Sequence, residues 1–416
     1  MSKKTSNDSE HRDIAKLALA GWVLGDTQLV LESLEIIECA AVRTEVIENL
    51  YLIDPDANWL ISHLHSGCQP LQLYGLLMAL ANYPPSANFD KSKLQDRLQW
   101  CWMQNDSGVQ FAADHLLRLM LPEVATDVIH FDHTARFGLD TLPPGREWYY
   151  GPLGLPFVIV EKGVSSVYGF DEQIPWNITI DRHLEQIDRR FAICAVEVPQ
   201  KMVERFQEEN GHSLTHHDFQ NPRNGPAMSF SLVTMLKFCR WLSDVEKIPS
   251  ERIGLSEQSD IGAGMQLSTD FWERDGYRLP TNVEWETAFR CGTRSRHFLG
   301  NSFDYMQEYC WDSTNCEQNP RPIATRKPNP WGLFDIAGNL YEAVLGDHRN
   351  VSTAESAIWD DKNLNKDTVL DIRGGSFLSS RIYSSAGSHH HIRALKGDIN
   401  CGFRVARTLP QVRSAP

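Results

Sequence analysis

Along the first third of the chain, apolar residues return every three or four positions in short blocks broken by Gly, Pro, Asp and Asn. HRDIAKLALAGWVL, TQLVLESLEIIECA, VRTEVIENLYLI, ANWLISHLH, PLQLYGLLMALANY, KLQDRLQWCWM and GVQFAADHLLRLML each present one apolar face at helical spacing and predict seven short amphipathic helices. Short helices joined by tight turns, with little strand signal, suggest helix pairs stacked as a solenoid. Their spacing is irregular, so period alone names no repeat family. We assign residues 1–140 to an all-α helical-repeat region and 141–150 to a linker, because LDTLPPGREWYY (139–150) is rich in turn formers.

Beyond residue 150 the pattern changes. Short apolar runs such as LPFVIV (155–160) and FAICAVEV (191–198) alternate with long polar loops, and eight of the twelve tryptophans fall after residue 147. Helical periodicity returns only in VPQKMVERFQEE, FSLVTMLKFCRWLSDVEK and TNVEWETAFRCG. Residues 151–416 are therefore expected to form a loop-dominated α+β domain.

Charge and cysteine content narrow the function classes. The formal net charge is -14, which argues against nucleic acid as a partner because phosphate binding needs a basic face. No run of about 18 apolar residues exists to span a bilayer, and the polar start MSKKTSNDSEHRD lacks the apolar core of a secretory signal. Most of the acidity lies in the helical region, where it reads either as a solvated outer face or as a docking surface for a protein partner. Nine scattered cysteines without a CxxC pair fit reduced thiols in a cytoplasm.

Three segments carry more than composition: GYRLPTNVEWETAFRCG (276–292), NPWGLFDIAGNLYEAVLGD (329–347) and DIRGGSFLSSRIYSSAGSHHHIRALKGDINCGFRVAR (371–407). In this order they resemble the formylglycine-generating enzyme, or sulfatase-modifying factor, family, over about residues 148–408. The resemblance implies a C-type-lectin-like fold for the second half. The first half, through NDSGVQFAADHLLRLM, resembles the HEAT-like repeats that precede such domains in some bacterial proteins.

Active members of that family hold copper through two cysteines placed three and eight residues after GGS and oxidise a substrate cysteine to formylglycine. Those positions here are Ser379 and Ser384. A neutral, hard hydroxyl does not replace a thiolate on Cu(I), so no copper is expected. Cys310 and Cys316 are the nearest surrogate pair in sequence. For iron, the histidine clusters are His389, His390 and His391, and His216 and His217 with Asp218; three consecutive histidines on a strand alternate faces, so at most two aim at one ion. The family's calcium loop implies Asp335, Gly338, Leu340 and Glu342 as oxygen donors, although Tyr341 and Ala343 stand where tryptophans are usual. Arg373, Gly374 and Gly375 read as structural, the arginine pairing with a buried carboxylate.

Two readings of function follow. In the first, the domain is a non-catalytic module that binds a protein or peptide through Phe377, Ser379, Ser380, Arg381, Tyr383, Ser385, Ser388, His389, His390, His391 and Arg393. This arrangement also resembles the variable proteins of diversity-generating retroelements, which use the same fold. The second is a metal-dependent oxidase of the sulfatase-modifying type.

Overall fold

The computed structural model describes residues 4–410 except 55, 126–141, 170–181, 212–220, 223, 269 and 347–363. All seven expected helices of the first half are present: α1 (Lys4–Val23), α2 (Gln28–Leu34), α3 (Ala40–Ile53), α4 (Asn58–His63), α5 (Pro70–Leu80), α6 (Lys91–Trp102) and α7 (Ser107–Met120). Their starts carry local signals. Asp90 and Asp106 accept from the backbone amides of Lys93 and Val109, capping α6 and α7. Gln69 and Gln72 form a reciprocal cap ahead of Pro70 on α5.

The helices form two layers. α1 packs on α3, α3 on α5, and α5 on α7, while α2, α4 and α6 lie behind them. Val46, Leu50, Leu76, Leu77, Leu98 and Leu116 are fully buried between the layers, each large side chain contributing about 1.5–3 kcal/mol of apolar transfer.

The second half is built on a five-stranded antiparallel sheet in the order β1 (Trp148–Tyr150), β2 (Pro156–Val160), β5 (Phe191–Cys194), β11 (Ala406–Thr408), β6 (Tyr277–Arg278). A hairpin of β3 (Ser165–Tyr168) and β4 (His183–Gln186) follows β2. The second sheet has the order β10 (Cys401–Gly402), β7 (Tyr341–Val344), β8 (Val369–Arg373), β9 (His389–Arg393). Three helices cover the sheets: α8 (Gln200–Glu209), α9 (Leu232–Val245) and α10 (Asn282–Arg290), at the three places where helical periodicity returned. Strand β1 comes from residues read as linker. WYY is a β-favouring aromatic run that pairs with Val158, Phe157 and Pro156 and is buried throughout, so the turn-forming residues mark only the approach to it.

The α1, α3, α5, α7 layer lies on the segment 297–334 of the second half. Arg43 donates to the Phe298 carbonyl, Tyr74 to the Pro328 carbonyl and Arg118 to the Ala324 carbonyl. Tyr305 donates to Glu45 and Tyr309 to Glu48. Lys327 donates to both oxygens of Glu48, at 3.0 and 2.9 Å, and to Asn82 at 2.7 Å. Gly108 shows how close the approach is: a Cβ there would lie 2.0 Å from the Pro330 oxygen. The inner face of the helical region is thus occupied by its own chain.

Candidate functional site

The three sequence motifs meet in a buried ionic frame. Thr281 and Glu284 form a reciprocal cap on α10, and Glu284 takes two bonds from Arg278, both at 2.7 Å. Burial opposes ionisation of Glu284, but the Arg278 and Arg189 guanidinium groups outweigh it and hold the carboxyl down at about 2. Trp285 donates to Glu342 at 2.7 Å, and Arg404, from the closing GFR, donates to Glu342 at 2.6 Å. Glu286 is shared by Arg290 and Arg373, so Arg373 does meet a buried carboxylate. These motif residues are scaffold, and their charges are satisfied by one another.

The turn after Arg373 decides where the next segment goes. Gly375 has φ +78, and a Cβ there would lie 2.4 Å from Ser384 Oγ and 3.1 Å from its backbone nitrogen. Beyond it, residues 376, 377 and 384–388 are buried while 378–383 are partly or fully exposed. Phe377 is buried with Met228, Cys316 and Leu340, and Ser385, Ser388 and His389 are buried as well. These four, expected on a binding surface, face inward. Their chemistry is used at home: Ser385 donates to the Ile382 carbonyl at 2.8 Å, and burial pushes His389 down to about 3.

What remains accessible is narrower. Ser380 and Arg393 are exposed, and Ser379, Arg381, Tyr383, His390 and His391 are half-buried. Arg381 Nε pairs with Asp312 at 3.0 Å, and its Nη2 donates to Thr314 at 2.6 Å. His390 lies edge-on to Tyr383 and Tyr341, with centroids 5.0 and 5.2 Å apart. Trp311 lies beneath Arg326, whose guanidinium carbon is 3.6 Å from the ring centroid. Arg381, Tyr383, His390 and Trp311 keep partial exposure here, while Tyr341 is buried beneath His390. His391 pairs instead with Asp371 at 2.8 Å. His389 and His391 share one face of β9, with centroids 5.4 Å apart. His216, His217 and Asp218 lie outside the described residues.

The family's cysteine positions serve the fold. Ser379 Oγ accepts from the Ser376 amide at 2.7 Å and donates back to the Ser376 carbonyl, closing a local turn. Ser384 is fully buried and accepts from Cys310 Sγ at 3.6 Å. Burial pushes the Cys310 thiol up to about 12, so it stays protonated at neutral pH and is a poor metal ligand. Cys316 donates to the Phe377 carbonyl at 3.1 Å. The two thiols are thus engaged in different places, and all nine cysteines are free.

Of the oxygens expected to hold calcium, those of Glu342 and Asp335 Oδ2 are engaged within the protein, and Asp335 Oδ1 has no hydrogen-bond partner. Glu342 spends its oxygens on Arg404 and Trp285. Asp335 gives Oδ2 to the Ala324 amide, and burial raises its carboxyl to about 6. Glu197 holds the Asn339 amide at 2.7 Å and the Leu340 nitrogen at 3.0 Å. An arginine thus supplies the positive charge at Glu342, and the Asn339–Leu340 turn is fixed by a protein carboxylate. Among the described residues, no group of three or more His, Cys, Asp or Glu side chains is arranged to hold a metal ion.

The sequence reading missed two of these contributors. Glu197 had a signal, a carboxylate ending the apolar run FAICAVEV. Asp312 had none, because its loop meets residue 381 only through the fold, and Cys310, singled out as half of a thiol pair, instead meets Ser384.

The model of the sulfatase-modifying factor enzyme 1-like domain matches residues 157–409. The chain belongs to this family. Curated relatives match over shorter stretches. The chaperone protein LppX of Paenibacillus barcinonensis is 28% identical over 99 residues, covering 20% of this chain and 35% of that protein. The serine/threonine-protein kinase pkn1 of Chlamydia caviae is 41% identical over 91 residues, covering 21% of this chain and 14% of that protein. The chain thus spans about a third or less of the length of these relatives. Among solved structures, Treponema denticola variable protein 1 is similar with TM-score 0.47 and 21% identity, over 62% of this chain and 97% of that one. PvdO from Pseudomonas aeruginosa gives 0.49 and 19%, over 62% and 95%. No described helix of this family member is long and apolar enough to cross a membrane.

Proposed function

We propose that this chain is a non-catalytic recognition module on a sulfatase-modifying factor scaffold, binding a protein or peptide at the face formed by Ser380, Arg381, Tyr383, His390 and Trp311. The observation that carries this reading is the use of Ser379 and Ser384 as structural hydroxyls, one closing a turn and the other receiving a buried thiol. A copper oxidase needs two thiolates on the metal. The sulfur that contacts Ser384, that of Cys310, is buried and donates to its hydroxyl, which weighs against the oxidase alternative. The retained face has the composition of a recognition surface, with tyrosine, tryptophan and arginine supplying contact area and directed hydrogen bonds.

The test uses the full chain. Peptides selected from a random library on the wild-type protein are titrated against it and against Arg381→Ala and Tyr383→Ala. Losses of tenfold or more at both positions are expected. Equal binding by both variants removes the face from the proposal. Aldehyde formation in a cysteine-containing peptide, after anaerobic copper loading and then admission of dioxygen as the oxidant, returns the chain to the enzymes. A near-copy of the DNA encoding residues 377–400 beside a reverse transcriptase gene would make the face a diversified one.

A further inference from the structure

Trp311, at the edge of the recognition face, carries two guanidinium groups. That of Arg326 lies 3.6 Å from the indole centroid and that of Arg321 lies 5.5 Å from it. The ring is held in place: its N–H donates to Thr325 Oγ1 at 3.0 Å, and that hydroxyl donates to the Pro322 carbonyl at 2.8 Å. The chain that bears the arginines is pinned as well. The Asn339 side chain holds both backbone groups of Arg321. Ile323 donates to the Asn224 carbonyl, Ala324 to Asp335 and Lys327 to the Glu308 carbonyl. Glu317, Gln318 and Ala324 have φ of 54, 57 and 57, a backbone state that costs non-glycine residues about 1–3 kcal/mol each and gathers at binding sites.

The two cations differ in what they already hold. Arg321 Nη2 meets Glu317 at 3.3 Å, and the Glu317 side chain is 87% exposed, so solvent competes for that pair and it holds weakly. Arg326 has no hydrogen-bond or ion-pair partner among the described residues; its Nε is shut off from solvent, while Nη1 and Nη2 stay open. Glu308, Asp312 and Asp335 act on it only through space. Of these, Asp312 is committed to Arg381 and Asp335 to the Ala324 amide.

A guanidinium stacked on a ring keeps its edge N–H groups for a carboxylate lying in its own plane. A cation at this edge would be repelled by both arginines. A neutral peptide would leave a half-buried charge without an acceptor, which costs free energy. A phosphate dianion would bring a second negative charge towards Glu308, Asp312 and Asp335. One carboxylate is the match. Resting on the reading of this face as a peptide-binding surface, we propose that its ligand is an acidic peptide, an Asp or Glu side chain of which pairs with Arg326 Nη1 and Nη2 beside Trp311 and competes with Glu317 for Arg321.

Heptapeptides displayed on phage are selected on the full chain, and the strongest acidic binder is synthesised with blocked termini, once with its acid and once with the matching amide. The acidic form should bind the wild type about tenfold more tightly or better, as charged hydrogen bonds allow. That difference should shrink below about twofold in Arg326→Gln, a position with no hydrogen-bond partner to lose. Glu317→Gln, on the surface, should tighten the acidic form about twofold and leave the amide form unchanged, a gain that misfolding does not produce. Tyr383→Ala separates this claim from the one it rests on. Peptides that need Tyr383 but bind Arg326→Gln unchanged, or a selection that enriches no acidic residue, overturn the acidic ligand and leave the face standing. Peptides that need Arg326 and not Tyr383 support the carboxylate site and remove the wider face.

Discussion

Among the contacts that join the two halves is the buried pair of Lys327 and Glu48, and removing its cation gives a quantitative test of whether they are docked. Lys327 and Glu48 have side chains only 5% and 4% exposed. Lys327→Met leaves a methylene stem of similar length but strips Glu48 of its counter-charge, with only the Tyr309 hydroxyl at 2.9 Å remaining. Breaking a buried pair by deleting one partner is destabilising by about 3–5 kcal/mol, because a charge is left uncompensated. Against a typical total of ~5–15 kcal/mol, that is a large fraction. The double variant Glu48→Leu/Lys327→Met removes both charges, and paired apolar replacement is often neutral. It should recover most of the loss, short of the ~1 kcal/mol forfeited when Tyr309 and Asn82 lose partners. Urea unfolding followed by tryptophan fluorescence measures all three proteins. A Lys327→Met variant within 1 kcal/mol of wild type would show Glu48 to be solvated, and the docked arrangement would be wrong.

Three further outcomes are expected. His297 and His389 are each pushed down to about 3 by burial. Their unfolded forms therefore bind protons first as pH falls, and stability should be intact above about pH 6.5 and drop below it by roughly 1.4 kcal/mol per pH unit for each histidine until about pH 3. Urea titrations at pH 7, 5.5 and 4.5 check this, and His297→Gln should flatten the slope; a slope unchanged by that variant would contradict the assignment. Gly375→Ala, which forces a Cβ against Ser384 at φ +78, should destabilise by about 1–3 kcal/mol, read as a lowered denaturant midpoint. Cys39 and Cys68 are the two cysteines that are not fully buried, so a thiol reagent should modify those two quickly in the native protein and the other seven only on unfolding; rapid reaction at Cys310 would refute its burial.

Much of this architecture is legible in the chain because it is local. Helices α1 to α10 follow from apolar spacing and cap residues, which act within one or two turns, and the family motifs name the arginines and glutamates of the frame. What escaped was non-local. Phe377, Ser385, Ser388 and His389 look like exposed loop residues until Gly375 is seen turning the segment inward. The strand at Trp148 reads as linker because its pairing partner, β2, follows a turn whose hydrogen-bond register the sequence does not display. Docking of the helical layer depends on Lys327, a lysine in an unremarkable loop whose partner Glu48 lies 279 residues away.

Tyr309, gripped by Glu48 of α3, is followed directly by Cys310, which reaches Ser384, by Trp311, and by Asp312, which holds Arg381. Four consecutive residues thus join the inner helical layer to the face proposed for ligand recognition. The two halves cannot drift apart freely in evolution: a change on α3 that moves Tyr309 also resets the register of Asp312. Grafting this face onto another scaffold would require transferring that peptide together with the helix that anchors it.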